Sequence, residues 1–342
     1  MESSVIPPDV FAQTFLETFD KSALAVFRHW LGNYPDVKKW IIAADFALRD
    51  KSRPGDCFCF TIFPYNRWPN DIVADIRSNL PHDLKDGRTL DATASTWMRD
   101  GGHFQIAIPM NRRRLFYYNG PESGPAAVAR ESIRLRLEKL ISLERGDDQI
   151  GRLKIALQKA QANSFNVGLF TDLTLLANYI SLVSIIIGRE RKLEGVAWFC
   201  DRDSMISWAN GVVWDYALDS YLGLANLFGV DASAAWPLIA VPDRTSGAEV
   251  MWYDDYIRPA DWLAGTLAAW DRAKNSLPGA QDKYLRMVED VVADADNIVV
   301  IPVTLDEQGL QVTRLDVTRK APTAGDAESL DRQQGNPAPR CP

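Results

Sequence analysis

The feature that most constrains the fold is an apolar run at residues 39–48, which a single carboxylate, Asp45, interrupts. A polar turn that contains Pro54 and Gly55 follows this run. Residues 57–64 then form a second apolar run. Two short apolar runs on either side of a turn predict a β-hairpin whose strands are largely buried.

The rest of the chain alternates between helical and strand patterns, and this order predicts an α/β protein with a mixed sheet flanked by helices. The predicted helices lie at residues 70–80, 93–99, 126–144, 149–188 (with a break near 164–168), 204–228, 255–270 and 282–292. Further strands are predicted at residues 103–110, 195–200 and 236–241, and a closing hairpin at 297–305 and 310–317, with Gly309 in its turn.

The patterns also divide the chain into four regions. Residues 1–36 carry apolar positions at helical spacing and form an N-terminal helical extension. The α/β domain is expected at 37–275, with a helical insertion at about 122–190. Residues 276–320 would add a helix and a hairpin packed on the core. Residues 321–342 have no apolar period and are expected to be a disordered tail.

Composition indicates a globular protein, and charge argues against one class of nucleic-acid binder. Hydrophobic residues make up 46% of the chain and charged residues 24%, which are ordinary globular values. The net charge of −7 argues against a basic surface for tight, non-specific DNA binding. It does not exclude a nuclease, because active-site carboxylates add negative charge locally. The strip Arg112, Arg113 and Arg114 is either a phosphate contact or a solvated turn.

The four cysteines and the longest apolar stretch indicate the compartment. Zinc sites need further Cys or His ligands at matching spacing, and the sequence lacks them, so buried thiols in a reducing cytoplasm are expected. The start of the sequence shows no secretory signal pattern. The stretch at residues 173–188 is interrupted by Asn178, Ser181 and Ser184, which predicts a buried core helix and no membrane segment.

Asp201 and Asp203 lie two residues apart after the predicted strand at 195–200. In an open α/β sheet, ligand-binding groups collect at the carboxyl ends of strands. Two carboxylates there repel each other unless a cation, or an arginine such as Arg202, lies between them. Asp203 could instead cap the following helix. We therefore assign the chemistry to Asp201 and the cap to Asp203.

Asp45 and Asp261 are weaker signals when each is taken alone. A carboxylate inside an apolar strand needs a hydrogen-bonding partner, a cation or water, and capping a loop is the commoner role for such a residue. Asp261 falls in the first turn of the predicted helix, together with Pro259. An acid at that position is also favoured by the helix dipole alone.

The order of these aspartates along the chain, and the predicted strands and helices that carry them, indicate a common site. The chain gives a strand with Asp45, a paired strand, a helix, a third strand, a long helical region, a strand ending at Asp201 and a late helix with Asp261. This arrangement resembles the RNase H-like superfamily. More narrowly, it is similar to a bacterial domain-of-unknown-function family with a DESG first strand and a late "AD-L-LAG" helix. The matching stretches are residues 83–85 (Asp-Leu-Lys), 199–202 (Phe-Cys-Asp-Arg) and 260–265 (Ala-Asp-Trp-Leu-Ala-Gly).

The resemblance implies metal-dependent phosphodiester chemistry by a two-metal mechanism. It implies Mg²⁺ or Mn²⁺ bound by carboxylates at Asp45, Asp83, Asp201 and Asp261, because hard oxygen ligands suit these ions. Lys85 or Arg202 would neutralise charge on the transferring phosphate. Exposed aromatic side chains such as Tyr65 or Trp68 could stack on bases.

Departures from the family pattern leave two alternatives open. Residues 44–47 read Ala-Asp-Phe-Ala where the family has DESG, and Asp83 stands where the family usually has Glu. One alternative is therefore a catalytically degenerate RNase H-like scaffold that binds nucleic acid or a protein partner. The other is a D-x-D glycosyltransferase that uses Asp201 and Asp203. A nuclease requires the four aspartates to converge, whereas the other two interpretations do not.

Overall fold

The computed structural model describes residues 8–81, 90–112, 124–143, 146–232, 251–277, 282–306 and 308–319. Its helices are α1 (Pro8–Ser22), α2 (Leu24–Leu31), α3 (Pro69–Asn79), α4 (Ala92–Asp100), α5 (Gly124–Ser142), α6 (Asp147–Gln161), α7 (Val167–Glu190), α8 (Val212–Phe228), α9 (Asp254–Ala269) and α10 (Asp282–Arg286). Its strands are β1 (Lys39–Ala47), β2 (Asp56–Pro64), β3 (Phe104–Met110), β4 (Gly195–Cys200), β5 (Ile298–Val300), β6 (Val303–Asp306) and β7 (Gly309–Val312).

The described strands form one mixed sheet of seven strands in the order β4-β1-β2-β3-β6-β7, with β5 also paired to β3. Strand β2 is antiparallel to both β1 and β3, which confirms the predicted hairpin. Strand β4 runs parallel to β1. Helices cover both faces, so the predicted α/β class with a mixed sheet flanked by helices is confirmed.

The alternation of side chains along β1 decides what each face of the sheet carries. Trp40, Ile42 and Ala44 point into a large core with α1, α2 and α5–α8. Ile41 and Ala43 point to the other face, where α3, α4 and α9 pack. Asp45 follows in the same alternation and therefore points toward α9.

Helix α7 is the central helix of the larger core. It is the one helix of the described ranges that is long and apolar enough to cross a membrane, and 94% of its apolar window is buried within the structure. The polar side chains that interrupt it are paired: Ser181, for example, donates to the carbonyl oxygens of Ala177 and Ala217. Its burial fits a core helix as well as it fits a membrane span.

The predicted helix at 204–228 begins later than expected. Residues 204–207 form turns, a 3₁₀ helix follows at Trp208–Asn210, and α8 starts at Val212. The reason is a run of left-handed backbone, with φ of 46° at Ala209, 62° at Asn210 and 79° at Gly211. Such backbone interrupts the helical hydrogen-bond ladder, so one continuous helix cannot form.

The closing hairpin is present, but its first strand is split into β5 and β6. Pro302 lies between them and has no backbone N–H to donate to a ladder. Strands β6 and β7 are antiparallel, and Gly309 has a φ of 107°, as a turn glycine requires. The predicted strand at 236–241 and the predicted tail at 321–342 lie outside the described residues.

Candidate functional site

Two of the predicted aspartates lie side by side at one edge of the sheet. In the parallel pair of β1 and β4, Ala44 is opposite Cys200, and the backbone N–H of Asp201 donates to the carbonyl oxygen of Ala44 at 3.3 Å. Asp45 and Asp201 therefore extend from the carboxyl ends of adjacent strands. The nuclease interpretation required this adjacency.

Helix α9 brings the third aspartate, Asp261, to the same place, because it packs across β1 and β2 on the face toward which Asp45 points. The prediction that Asp261 lies in the first helical turn is wrong. The helix begins at Asp254, so Pro259 lies in its second turn and Asp261 in its third. Pro259 has no N–H to donate to the carbonyl of Asp255, and its ring crowds that carbonyl, yet the helix continues through it to Ala269.

This helix position also removes the dipole explanation for Asp261, because the dipole effect is confined to the first turn. Packing places its carboxyl group instead. The neighbours Ala260, Trp262 and Leu263 are buried against the sheet, whereas Asp261 itself is half-buried.

The carboxyl groups of Asp45 and Asp261 are hydrogen-bonded to each other. The pKa of Asp45 is well above its usual range, first because the group is buried and then because Asp261 and Asp201 are close. The backbone N–H of Phe46 acts in the opposite direction. Burial therefore favours the protonated form of Asp45, whose O–H can donate to the Asp261 carboxylate.

The three side chains become more exposed from the sheet outward. Asp45 is 8% exposed and forms the bottom of the cluster. Asp261 is half-buried, and Asp201 is exposed. One oxygen of Asp201, Oδ1, accepts from the backbone N–H of Arg202 at 2.7 Å. The cluster therefore opens to solvent on the side of Asp201, where a ligand can enter.

Arg202 lies at the rim of this cluster. Its Nη2 donates to Oδ2 of Asp254 at 3.0 Å, and the same oxygen accepts from the backbone N–H of Met251 at 2.7 Å. Asp254 thus ties the guanidinium to the start of α9. The role of Arg202 in neutralising a phosphate stays a prediction.

Asp203 has the capping role assigned to it. Its Oδ1 accepts from the backbone N–H groups of Met205 and Ile206, at 2.8 and 3.0 Å. Burial raises the pKa of this carboxyl, while the two backbone donors lower it. The cap begins the turns at 204–207 rather than an α-helix.

Three buried thiols lie on the strands next to the cluster, Cys57 and Cys59 on the same face as Asp45 and Cys200 on the opposite face. Cys59 is directly opposite Asp45 in the β1–β2 ladder. Cys57, Cys59 and Cys200 are all buried and free, which confirms the prediction for these three; Cys341 lies outside the described residues. Burial raises the pKa of Cys57 to about 12 and also raises the pKa values of the other two. They remain protonated, so the oxygens of the aspartates are the ionic donors here.

The carboxylate oxygens of Asp45, Asp201 and Asp261 are the type of ligand that suits Mg²⁺ or Mn²⁺, and the three residues lie near one another where the structure opens to water. As their side chains stand, the described residues contain no group of three His, Cys, Asp or Glu in position to hold a metal ion. The hydrogen bond between Asp45 and Asp261 occupies oxygens that a cation would use. Asp83 and Lys85 lie outside the described residues.

The predicted basic strip falls partly outside the described ranges. Nη2 of Arg112 donates to the backbone carbonyl of Asp50, so this arginine holds a loop next to the hairpin turn. Arg113 and Arg114 lie outside the described residues. Phosphate binding by this strip stays a prediction.

Sequence reasoning missed Asp254 and Asp172. Asp172, on the otherwise apolar α7, is 2% exposed and accepts from Nε of Arg49 at 2.5 Å. Asp254 is one of two consecutive acids that open α9, which is a signal for a helix start. An acid within an apolar helix was the sequence signal for Asp172. Its partner, Arg49, is 123 residues away in sequence, so no local pattern pairs the two.

Comparison with known proteins identified no relative of this chain. No family model matches this chain, and neither a curated protein nor a solved structure matches it.

Proposed function

We propose that this protein is a nuclease-like enzyme that acts on nucleic-acid phosphodiesters with Mg²⁺ or Mn²⁺ held by Asp45, Asp201 and Asp261. The observation that carries the proposal is the convergence of these carboxyl groups from β1, β4 and α9. They are far apart in sequence, and packing brings them together. The same packing raises the pKa of Asp45. Such a perturbed carboxyl at the bottom of a cluster that opens to solvent is typical of a functional site.

The positions also agree with what an RNase H-like fold implies. That resemblance expects carboxylates on the first strand, on a later strand and on a late helix. Asp45 lies on the first strand, Asp201 follows the strand parallel to it, and Asp261 lies on α9. A fourth ligand at Asp83 remains part of the proposal.

The side chains have distinct tasks in this proposal. Asp45 would bind from the buried bottom of the site and Asp201 from its open side, while Arg202 would meet the phosphate at the rim. When bound, divalent cations supply an activated water and stabilise the leaving oxygen of a phosphodiester. Asp261 is half-buried between the other two, so it could serve as a shared ligand.

The two alternatives predict other arrangements. A D-x-D glycosyltransferase needs Asp203 as a ligand, but Oδ1 of Asp203 is already bonded to two backbone N–H groups. A degenerate scaffold permits the aspartates to be dispersed. The convergence favours the nuclease, and the missing Glu and Gly of the DESG pattern keep the scaffold as the second candidate.

The experiment that tests the proposal is a calorimetric titration with Mn²⁺, together with a cleavage assay on single- and double-stranded DNA and RNA. Asp45→Asn, Asp201→Asn and Asp261→Asn each replace one ligand oxygen by an amide nitrogen with little change of shape. We expect each variant to bind Mn²⁺ at least about tenfold more weakly and to lose cleavage. Asp296→Asn, an exposed acid near β5, is the matched control.

The outcomes separate the candidates. Mn²⁺ binding without cleavage of any substrate would favour the scaffold. Loss of binding in Asp201→Asn and Asp203→Asn, with no effect at Asp45 and Asp261, would favour the D-x-D interpretation. An absence of Mn²⁺ binding by the wild type, with and without an oligonucleotide, would contradict the metal site.

A further inference from the structure

A cleft of about 380 Å³ lies beside β4, the strand that ends at Asp201. We name it the aromatic cleft. Its lining includes Lys39, Tyr65, Ala197, Phe199 and Trp252. It is a separate space from a pocket of about 480 Å³ that is lined by Tyr34, Phe63 and Trp97.

The aromatic cleft exposes two large rings to solvent. Trp252 is 52% exposed and Tyr65 is 40% exposed, although each offers a large apolar surface that folding would normally bury. Exposed apolar patches of this kind commonly mark binding surfaces. Both rings line one cleft, so a single ligand can contact them together.

Two neighbouring aromatic rings hold the Trp252 ring in place. It meets the ring of Phe199 edge-on, with centroids 5.1 Å apart, and the ring of Tyr253 in the same manner at 5.7 Å. Phe199 in turn stacks on Tyr253 at 4.9 Å with an interplanar angle of 10°. The indole is therefore oriented before a ligand arrives, which lowers the entropic cost of stacking a flat group on it.

Two residues that line the aromatic cleft are each two positions from a residue at the carboxylate cluster. Phe199 and Asp201 are two residues apart on the same face of the sheet edge, a distance of about 7 Å along the chain. On the other side, Trp252 is two residues before Asp254, which holds Arg202. A chain molecule that enters the cleft can therefore continue past Arg202 to Asp201.

Charged groups are placed for a ligand with flat rings and an anionic backbone. Lys39 lines the aromatic cleft and is exposed. Arg202 is bonded to Asp254, two residues from Trp252. Glu194 also lines the cleft, but Nζ of Lys38 lies 3.2 Å from its carboxylate and offsets its charge. Aromatic rings combined with cations are the chemistry by which proteins bind single-stranded nucleic acid.

We propose that the aromatic cleft binds unpaired bases of a single-stranded nucleic acid on Trp252 and Tyr65 and so leads the strand to the carboxylate cluster. A duplex fits this surface less well, because its bases are stacked on one another and have no free face for the rings. Cleavage of the strand at the cluster rests on the proposed function. Binding in the cleft can be measured without cleavage.

The test is fluorescence anisotropy with labelled oligo(dT), oligo(U) and a duplex of the same length, measured in EDTA and again in Ca²⁺. We expect the wild type to bind at least one single strand at least about tenfold more tightly than the duplex. Trp252→Ala and Tyr65→Ala should each weaken binding about tenfold, and Trp252→Phe, which keeps a ring, should retain most of it.

Leu227→Ala is the matched control, because Leu227 is 55% exposed and lies on α8, on the other side of the sheet. Thermal melts of all variants would confirm that they fold. Single-strand binding that persists in Asp201→Asn while no variant or wild type cleaves would support the aromatic cleft and contradict the nuclease. Equal binding by wild type and Trp252→Ala, a preference for duplex, or no binding in either buffer would overturn the inference.

Discussion

Asp45 on β1 and Asp261 on α9 are joined by a hydrogen bond between their carboxyl groups, at a point where strand and helix pack against each other. Such a bond requires one proton, and burial places that proton on Asp45. Two acids that approach each other in a core do not strengthen packing as an apolar pair would. In the proposed metal site, this pair would give up packing stability for the ability to bind a cation.

The first prediction concerns the stability of Asp45→Asn. The folded-state pKa of Asp45 lies above the unfolded one, so the folded protein holds a proton that the unfolded chain releases. Its contribution to stability is present below the unfolded pKa and is lost as the pH rises through the folded pKa. Asparagine needs no proton, so the free energy of unfolding at pH 7 should increase by about 1 kcal/mol.

Urea unfolding of wild type and Asp45→Asn between pH 4 and pH 8 measures this effect. The difference between the two proteins should grow with pH, because only the wild type has the proton to lose. The control is Asp296→Asn, the same substitution at an exposed position. A constant difference across the range would contradict the raised pKa.

The second prediction separates the two aspartates that come after β4. Asp203→Ala removes the acceptor for the backbone N–H groups of Met205 and Ile206 and should lower the free energy of unfolding by about 1 kcal/mol. Asp203→Asn keeps an acceptor oxygen and should be close to wild type. Urea unfolding and Mn²⁺ titration check both variants, and weakened Mn²⁺ binding in Asp203→Asn would show that Asp203 is itself a ligand.

The sequence predicted much of the sheet because apolar runs and turns are local signals. The hairpin of β1 and β2 and the strands β3 and β4 fall close to their predicted positions. The order of Asp45, Asp201 and Asp261 along the chain also indicated where they would meet. The hydrogen bond of Asp45 with Asp261 is contained in no local pattern, since it depends on how α9 crosses the sheet.

The errors have physical causes as well. Pro259 suggested a helix start, but α9 begins at Asp254 and continues through this proline despite the hydrogen bond it removes and the carbonyl it crowds. The late start of α8 arises from left-handed backbone at Ala209 and Asn210, residue types that do not require it. The aromatic cleft was only partly foreseen: Tyr65 could be named as a stacking residue, whereas Trp252 joins it through tertiary packing.

The third prediction concerns His103, which is fully buried and stacked on Trp97 at 4.6 Å. Burial lowers its pKa from 6.5 to about 4. The unfolded chain therefore takes up a proton at a pH where the folded protein does not, and stability falls as the pH drops from 6.5 toward 4. The pH dependence of stability that His103 produces is therefore opposite in sign to the one that Asp45 produces.

His103→Phe, which retains the stacked ring, isolates this contribution. Between pH 7 and pH 4 the wild type should lose about 3 kcal/mol more of its unfolding free energy than the variant. Thermal unfolding at several pH values measures the difference. His29→Phe, a change of the same type on α2, is the control, and an equal loss in His103→Phe and wild type would contradict the lowered pKa.

The fourth prediction concerns the pair of Arg152 on α6 and Asp215 on α8. Nε and Nη2 of Arg152 donate to the two oxygens of Asp215 at 2.6 and 2.8 Å, and the aspartate side chain is only 4% exposed. Arg152→Ala leaves a buried carboxylate without its fork-shaped partner and should lower the free energy of unfolding by about 2 kcal/mol. Arg152→Leu with Asp215→Leu removes both charges and should recover most of that loss, because a buried ion pair contributes little net stability over apolar side chains. Urea unfolding of the single and double variants measures both effects. A double variant as unstable as Arg152→Ala would show that the pair stabilises the fold by more than the neutralisation of its two charges.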